Sequence, residues 1–281
     1  MKPKALSLLH ILKFKENLLQ EEKSPNTIDK YIRDVQAFYL FADERNITKD
    51  LAIQYKQNLL DKGYSVRSIN SMLASLNGFF SFLGWSDCKL KAIKAQKQIY
   101  CPEDKELKRE EYERLVQAAE KKGNMRLSLL LQAICGMGMR VSEVKYVTAE
   151  AVKRGEAIVT CKGKTRTVFI VKKLRKKLLR YIAKQQIESG SIFITRTGKP
   201  MSRVNIWREM KAICKEAHVS PRKVFPHNLR HLFARTFYKM KKDIAKLADI
   251  LGHSSINTTK IYVMTTVNEY IRDMEEMRLV I

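Results

Sequence analysis

Residues 127–144 of this 281-residue chain read LSLLLQAICGMGMRVSEV and set the centre of the predicted fold. The almost wholly apolar run Leu127–Cys135 predicts a buried helix. Gly136 and Gly138 end that helix, because glycine adopts sharp turns that other residues avoid. Arg140 then stands where a new helix begins. The stretch therefore predicts a buried helix with an arginine fixed just beyond its end.

The segments around this helix predict a domain that is mainly helical. Residues 156–161 and 165–171 flank the turn pair Gly163-Lys164 and predict an antiparallel hairpin. Ser191–Ile194 predicts a third strand. Further helices are predicted for residues 110–121, 172–186, 202–217, 227–239, 242–251 and 256–262. We place this domain at residues 108–262 and expect helices around one small antiparallel sheet.

The first 85 residues predict a separate helical domain. Ser24-Pro25 suits the start of a helix, since serine caps the first turn and proline fits its first position. Apolar residues recur at helical spacing over residues 28–39 and 69–83, and weaker helices are predicted for 5–20 and 48–62. The chain thus has two domains and is mainly α.

Two segments lie outside these domains. Residues 86–107 lose the helical spacing, are rich in lysine and contain Pro102, which predicts an extended basic linker. The tail, residues 263–281, carries apolar residues at near-helical spacing among acidic ones. It is too short to form a core, so its apolar side chains need another surface to bury against.

The net charge of the chain indicates which class of partner it binds. Lys plus Arg number 54 against 29 Asp plus Glu, a net charge of +25, so the chain attracts a polyanion, most often nucleic acid. A lysine-rich solvated surface is the alternative. An anionic membrane is less favoured, because the basic residues do not line one amphipathic helix.

No apolar run approaches the roughly 20 residues of a membrane span and no signal peptide opens the chain, which predicts a cytoplasmic protein. Five scattered cysteines argue against a disulfide framework and a zinc ribbon.

The stretch FPHNLRHLFA, residues 225–234, places His227 and Arg230 on one face at the start of a helix. An imidazole and a guanidinium so placed can grip a phosphate. One alternative is a capping histidine beside a surface arginine. A zinc site with His231 is another, but the stretch has no HExxH glutamate and no obvious third ligand.

Two further basic residues are ambiguous by themselves. Arg140 has a rigid, mostly apolar frame that suits the stabilisation of charge in a transition state, although a salt bridge to Glu143 would also explain it. Lys162 stands at the tip of the predicted hairpin. It can swing towards a leaving oxygen, or it is simply a solvated turn residue.

The stretch LGHSSINTTKIY, residues 251–262, contains His253 and Tyr262. Thr258 and Thr259 are predicted to cap the helix that carries the tyrosine. A lone tyrosine is most often a core residue. Tyr262 becomes a candidate nucleophile when the other motifs are taken with it.

Six residues in this order resemble the active-site signature of the tyrosine recombinases, the Xer and phage-integrase family. They are Arg140, Lys162, His227, Arg230, His253 and Tyr262. The strings GMGMRVSEV, CKGKTR, PHNLRH and LGHSSINTTKIY are similar to the motifs of that family, and SPNTIDKYIRDVQAF is similar to its N-terminal helical (SAM-like) core-binding domain. The resemblance covers essentially the whole chain.

The resemblance implies that a tyrosine hydroxyl attacks the scissile phosphate, forms a 3′-phosphotyrosyl link and releases a 5′-hydroxyl. In this chain Tyr262 would be the nucleophile, and Arg140 and Arg230 would clamp the nonbridging oxygens. His227 would take the proton of the tyrosine, while His253 would hydrogen-bond the phosphate. Lys162 would protonate the leaving 5′-oxygen. No metal or other cofactor is implied.

The implied partner is double-stranded DNA with specific recombination sites. Basic residues expected to contact this DNA are Lys94, Lys97, Lys164, Arg166 and Arg203. The tail is expected to dock on a neighbouring protomer, so that monomers assemble into a tetramer on two DNA sites. A tail folded back on its own domain is the alternative. The resemblance favours an Xer-like or small mobile-element recombinase.

Two other functions stay open from the sequence. A type IB topoisomerase-like nicking and closing enzyme would use the same nucleophile, but it acts as a monomer. A DNA-binding protein without catalysis would need none of the six residues, and the presence of all six weighs against it.

Overall fold

A computed structural model describes residues 4–94, 103–161, 164–264 and 267–279. The chain divides into two compact units, Met1–Lys97 and Gln98–Ile281. The described residues are mostly helical, with one two-stranded antiparallel sheet in the second unit. The predicted fold class is therefore confirmed.

The N-terminal unit is built from helices that surround one apolar core. They are α1 (Leu8–Gln20), α2 (Pro25–Ala42), α3 (Lys49–Asp61) and α4 (Val66–Phe82). The side chains of Ser24, Thr48 and Ser65 cap α2, α3 and α4 by accepting a hydrogen bond from a backbone N–H of the first turn. Phe38 and Phe80 pack edge to face at 5.6 Å within the core. These caps and this core give the first unit its own stability.

Residues 86–94 pack on the N-terminal unit, although the sequence assigns them to a linker. Ser86–Cys88 forms a short 3₁₀ helix, and Cys88 and Leu90 are buried. The Asn77 amide exchanges two hydrogen bonds of 2.8 Å with the backbone of Leu90. Helical periodicity could not reveal this packing, because hydrogen bonds from a polar side chain hold the non-helical segment at Leu90 in place.

The C-terminal unit holds the remaining elements. Its helices are α5 (Arg109–Lys121), α6 (Met125–Met137), α7 (Ala149–Arg154), α8 (Lys172–Lys184), α9 (Arg203–Ala212), α10 (Pro226–Lys241), α11 (Ile244–Leu251), α12 (Ile256–Tyr262) and α13 (Val267–Glu276). Short 3₁₀ helices lie at Glu103–Lys105, Val141–Tyr146 and Pro221–Lys223. The predicted buried helix is α6, which packs against α5, α8 and α10 and is buried on most of its surface.

The sheet is a hairpin of β1 (Glu156–Cys161) and β2 (Lys164–Phe169), with Glu156 opposite Phe169 and Cys161 opposite Lys164. The tip of this hairpin, which holds Lys162, lies outside the described residues. The predicted third strand is wrong. Ser191 and Ile194 make isolated bridges to Thr148 and Pro200. A proline partner has no N–H to extend a ladder.

The helix α13 leaves its described apolar side chains exposed. The exposed fractions are 47% for Ile271 and 60% for Met274, and just beyond the helix they are 60% for Met277 and 75% for Leu279. Across the described ranges, each helix is too short or too polar to cross a membrane.

Candidate active site

The turn after α6 fixes Arg140. Gly138 ends the helix with φ +60°, and a Cβ there would lie 2.6 Å from the Phe233 ring, so glycine is required. Arg140 follows in extended conformation and precedes the 3₁₀ helix Val141–Tyr146. Its backbone N–H and its guanidinium both donate to the Glu143 carboxylate, at 2.8 and 2.9 Å. The tight turn and this carboxylate together orient Arg140.

The salt bridge given as the alternative for Arg140 is therefore present. It leaves most of the guanidinium available, however. The side-chain bonds to Glu143 and to the carbonyl of Gly252 use two of the five N–H donors of an arginine. The side chain is 30% exposed. Arg140 can thus keep Glu143 and still donate to a bound anion.

Glu143 connects Arg140 to the β-hairpin. Its side chain is 1% exposed, and it also accepts a 2.8 Å hydrogen bond from Arg166 of β2. Arg166 donates to the carbonyl of Ile250 at 2.7 Å as well. Arg166 therefore lies inside the domain and supports the site from within, so the predicted DNA contact is not supported. Its face of the strand is the one that buries Val168.

Arg230 joins three of the sequence motifs. It lies on the second turn of α10, which Pro226 begins, and it has no exposed surface. Its guanidinium donates to the carbonyls of Gly138 at 2.6 Å and Leu251 at 2.7 Å. Burial and the Arg140 charge lower the pKa of Arg230 to about 10, so it stays cationic at neutral pH. Arg230 is therefore not the surface arginine that the sequence left open as an alternative.

His253 lies between Arg230 and Thr259. Its Nε2 is 2.9 Å from an Arg230 nitrogen that can only donate, so Nε2 accepts and Nδ1 carries the proton. Nδ1 then donates to Thr259 Oγ1 at 2.9 Å. Burial, followed by the charges of Arg230 and Arg140, lowers the pKa of His253 to about 4. His253 is thus a neutral ring held in one tautomer.

The role of Thr259 differs from its prediction. Ser255 caps α12 by accepting from the N–H of Asn257, so the predicted caps Thr258 and Thr259 are wrong. Thr259 is fully buried beside His253. Its position three residues before Tyr262 on the same helix was a signal that it faces the site.

Tyr262 ends α12 and is buried among imidazoles. Its ring centre lies 5.1 Å from that of His227, 4.3 Å from that of His231 and 4.8 Å from that of His253. The Arg230 guanidinium carbon is 5.6 Å from the same ring. In the described part of the chain these histidines do not form a group able to hold a metal ion. Sequence reasoning considered His231 for zinc alone and missed its contact with the tyrosine.

His227 lines a cleft of about 690 Å³ together with Arg140, Arg203 and Trp207. Part of its surface is exposed. Surrounding protein atoms, and then the charges of Arg230, Arg140 and Arg203, lower the pKa of His227 below 6.5. A neutral His227 can accept a proton at neutral pH.

The other predicted DNA contacts are scattered. Arg203 is exposed at the first turn of α9, beside His227. Lys94 is exposed on the N-terminal unit, and Lys164 is described only through its backbone in β2. Lys97 and Lys162 lie outside the described residues. The structure thus brings together Arg140, His227, Arg230, His253 and Tyr262 of the six predicted catalytic residues.

Known proteins resemble this chain in sequence and in fold. The sequence profile of the phage integrase family matches residues 105–269, and that of the N-terminal SAM-like domain of phage integrases matches residues 11–87. The chain belongs to the phage integrase family. It is 30% identical over 279 residues to the tyrosine recombinase XerA of Thermococcus kodakarensis, and the matched region covers 96% of this chain and 95% of that protein. It is 29% identical to the XerA of Pyrococcus furiosus, with 99% of this chain and 97% of that protein covered.

A solved structure shares the fold. The XerH site-specific recombinase, bound to a palindromic difH substrate in a post-cleavage complex, has a TM-score of 0.71 at 20% identity and covers 88% of this chain and 79% of that one. Family membership makes this chain a tyrosine recombinase, an enzyme that breaks and rejoins DNA in site-specific recombination. The topoisomerase and the silent DNA-binding protein are not favoured.

Proposed function

We propose that this recombinase cuts DNA by attack of the Tyr262 hydroxyl on the scissile phosphate. The carrying observation is the enclosure of the Tyr262 ring, which has Arg230 at 5.6 Å and the ring of His227 at 5.1 Å. The attack forms a bond from the tyrosine oxygen to phosphorus and breaks the bond to the 5′-oxygen. The product is a 3′-phosphotyrosyl link and a free 5′-hydroxyl.

The residues around Tyr262 divide the work. A phosphodiester gathers negative charge on its nonbridging oxygens as five groups surround phosphorus, and Arg140 and Arg230 stabilise that charge. His227 takes the phenol proton, since its lowered pKa keeps it neutral. His253 contacts the phosphate beside Arg230. Lys162 gives a proton to the leaving 5′-oxygen.

Access to the phosphate requires a local rearrangement. Arg230 has no exposed surface. Two carbonyls and His253 use three of its five N–H donors, and its buried Nε has no partner among the described residues. An anion can therefore reach the remaining donors only when the groups that cover Arg230 move. We expect α12 to shift, because it has seven residues and carries both Tyr262 and Thr259.

The partner we propose is double-stranded DNA with specific recombination sites. The free protein is a monomer, and four protomers assemble on two DNA sites. The net charge of +25 supports the DNA partner. Lys94, Lys97, Lys164 and Arg203 remain the expected phosphate contacts. We place the protein in the cytoplasm, where such DNA is accessible.

The test begins with selection of a binding site from random duplex DNA. The selected site is then nicked near the cleavage position, so that the released fragment diffuses away and the covalent product accumulates. With the native chain, a denaturing gel should show a protein–DNA adduct on the nicked site and exchanged strands on the intact site. Tyr262→Phe, which keeps the ring and removes the oxygen, should bind equally and give no adduct. An adduct with Tyr262→Phe would place the nucleophile elsewhere, and an adduct with supercoil relaxation but no exchange would favour the topoisomerase.

A further inference from the structure

His231 packs on the face of Tyr262 and has no part in the proposed reaction. The two ring centres are 4.3 Å apart and the ring planes differ by 22°, so the rings are stacked. His253 and His227 meet the same phenol at 46° and 66°. Of the three imidazoles around Tyr262, His231 is the one that lies nearly parallel to it.

The place of Tyr262 in the chain explains why such support is needed. Tyr262 is the last residue of α12, a helix of seven residues. Helix ends lack part of the hydrogen bonding that fixes the helix interior, so the backbone alone holds a terminal side chain loosely. α10 is a sixteen-residue helix packed on α6, and it carries His231. A rigid helix therefore supplies the flat surface that α12 lacks.

The environment of His231 excludes a charged role. Burial, followed by the effects of His227 and Arg235, lowers the pKa of His231 to about 3, and a polar contact with the Tyr262 backbone opposes this shift only in part. The ring is neutral at neutral pH. A base this weak is poorly matched to removing a phenol proton.

We propose that His231 is a positioning residue that holds the Tyr262 ring by stacking and so directs its hydroxyl at the phosphate. This inference rests on the proposed role of Tyr262 as the nucleophile. The flat aromatic face is what matters, and the ring nitrogens are not needed. Offset stacking of aromatic rings gives an orientation that aliphatic contacts do not give.

A matched pair of substitutions tests this inference. His231→Phe keeps a flat ring, whereas His231→Leu fills a similar volume without one. His218→Asn, which alters an exposed histidine at φ +50°, controls for loss of an imidazole. The measurements are the single-turnover rate of adduct formation on the nicked site and the dissociation constant of the DNA. Thermal melting of each full-length variant checks that it folds.

We expect His231→Leu to slow adduct formation about tenfold or more, since misplaced reacting groups lose rate steeply, with DNA binding unchanged within about twofold. His231→Phe should stay within about threefold of the native rate. Equal slowing by Phe and Leu would show that a ring nitrogen is required and would overturn the proposal. A native rate with Leu would overturn it as well. If the Tyr262→Phe variant still forms the adduct, the proposed function itself is wrong. That outcome differs from every outcome of the His231 variants, so the two failures can be told apart.

Discussion

The guanidinium carbon of Arg230 lies 5.6 Å from the centre of the Tyr262 ring, and Arg230 has no exposed surface. One buried arginine thus contacts Tyr262 of α12, the turn after α6 and the end of α11. Arg140 is different, since it is 30% exposed and depends on Glu143. The two arginines of the site therefore have different structural duties, although both face the same phosphate in the proposed reaction.

Arg140→Ala and Arg230→Ala should both slow strand cleavage by about a hundredfold or more, because each removes a preorganised donor worth about 3 kcal/mol. Their effects on folding should differ. Arg230→Ala leaves the buried carbonyls of Gly138 and Leu251 without donors, at about 1–3 kcal/mol each, whereas Glu143 keeps Arg166 when Arg140 is removed. Single-turnover cleavage and urea unfolding measure the two effects. Equal losses of stability would contradict the distinct role of Arg230.

Gly252→Ala should damage catalysis through Arg166. A Cβ on Gly252 would lie 2.4 Å from Arg166 Cδ, so Arg166 must move and its bond to Glu143 weakens. We expect cleavage to fall about tenfold, with DNA binding nearly unchanged, as is usual when a catalytic group is displaced. Gly198→Ala is the control, since Gly198 has φ +76° and open space around it. A similar loss in both variants would mean that backbone strain alone is responsible.

Five residues of the candidate site could be named from the sequence because their motifs are local and distinctive. The spacing of Thr259 from Tyr262 could show that it faces the site, but the contacts of Thr259 and His231 could not be predicted. Thr259 meets His253 when α12 packs beside the turn after α11, and His231 meets Tyr262 when α12 packs on α10. The sequence could have indicated that Arg166 faces the domain interior and not DNA. It shares a strand face with Val168, and alternation alone argues that a face holding a buried valine does not point to DNA.

The fold, like the site, could be predicted from the sequence only in part. Helices with clear apolar spacing, such as α2 and α4, are found where the sequence predicts them. The predicted strand at Ser191–Ile194 fails because strand formation needs a partner edge, which residue composition does not report. The packing of Leu90 on the first unit depends on the side chain of Asn77, a polar contact that hydrophobic patterns do not contain.

Lys162→Ala should slow cleavage of ordinary DNA, because the leaving 5′-oxygen then departs without a proton donor. A substrate with sulfur in place of that bridging oxygen should restore most of the rate, since a thiolate leaves without protonation. Lys164→Ala, two residues along the same hairpin, is the matched control and should show no such rescue. Equal defects of Lys162→Ala on both substrates would remove Lys162 from the general-acid role.

The stability of the C-terminal unit should decrease as the pH falls below 6.5. His231 has a pKa of about 3 in the folded chain and near 6.5 when unfolded, so the unfolded state binds the proton first. Its contribution is complete above pH 6.5 and is lost as the pH falls towards 3. Between pH 7.5 and 5.5 the loss from one such histidine is about 1.4 kcal/mol.

His231→Phe should lose less stability than the native chain over that pH range, by about 1 kcal/mol. Unfolding is followed by Trp207 fluorescence in a Trp85→Phe background, because the chain has two tryptophans and Trp207 lies in the C-terminal unit. All other titrating groups are common to both chains, so the difference isolates His231. An identical pH dependence would mean that His231 is solvated or protonated in the folded state.

The tail should serve assembly and not chemistry. Ile271, Met274 and Met277 are 47%, 60% and 60% exposed, so the described residues of their own chain leave about half of each side chain uncovered. Acidic residues around them, Glu269, Asp273, Glu275 and Glu276, are repelled by DNA. Covering three such side chains on a second protomer is worth on the order of several kcal/mol before the cost of ordering. A head-to-tail contact of this kind closes a ring when each protomer gives and receives one tail.

Removal of residues 265–281 should therefore leave single-site binding within about twofold and preserve the Tyr262 adduct, while cooperative binding to two sites is lost. Ile271→Ser combined with Met274→Ser is the matched variant, because it keeps the length and charge of the tail and removes its apolar face. Gel-shift titration of one-site and two-site DNA separates the two effects. If the truncated chain melts several degrees lower than the native chain in the absence of DNA, the tail packs on its own unit and the predicted exchange between protomers is wrong. If both variants keep full cooperativity, another surface joins the protomers.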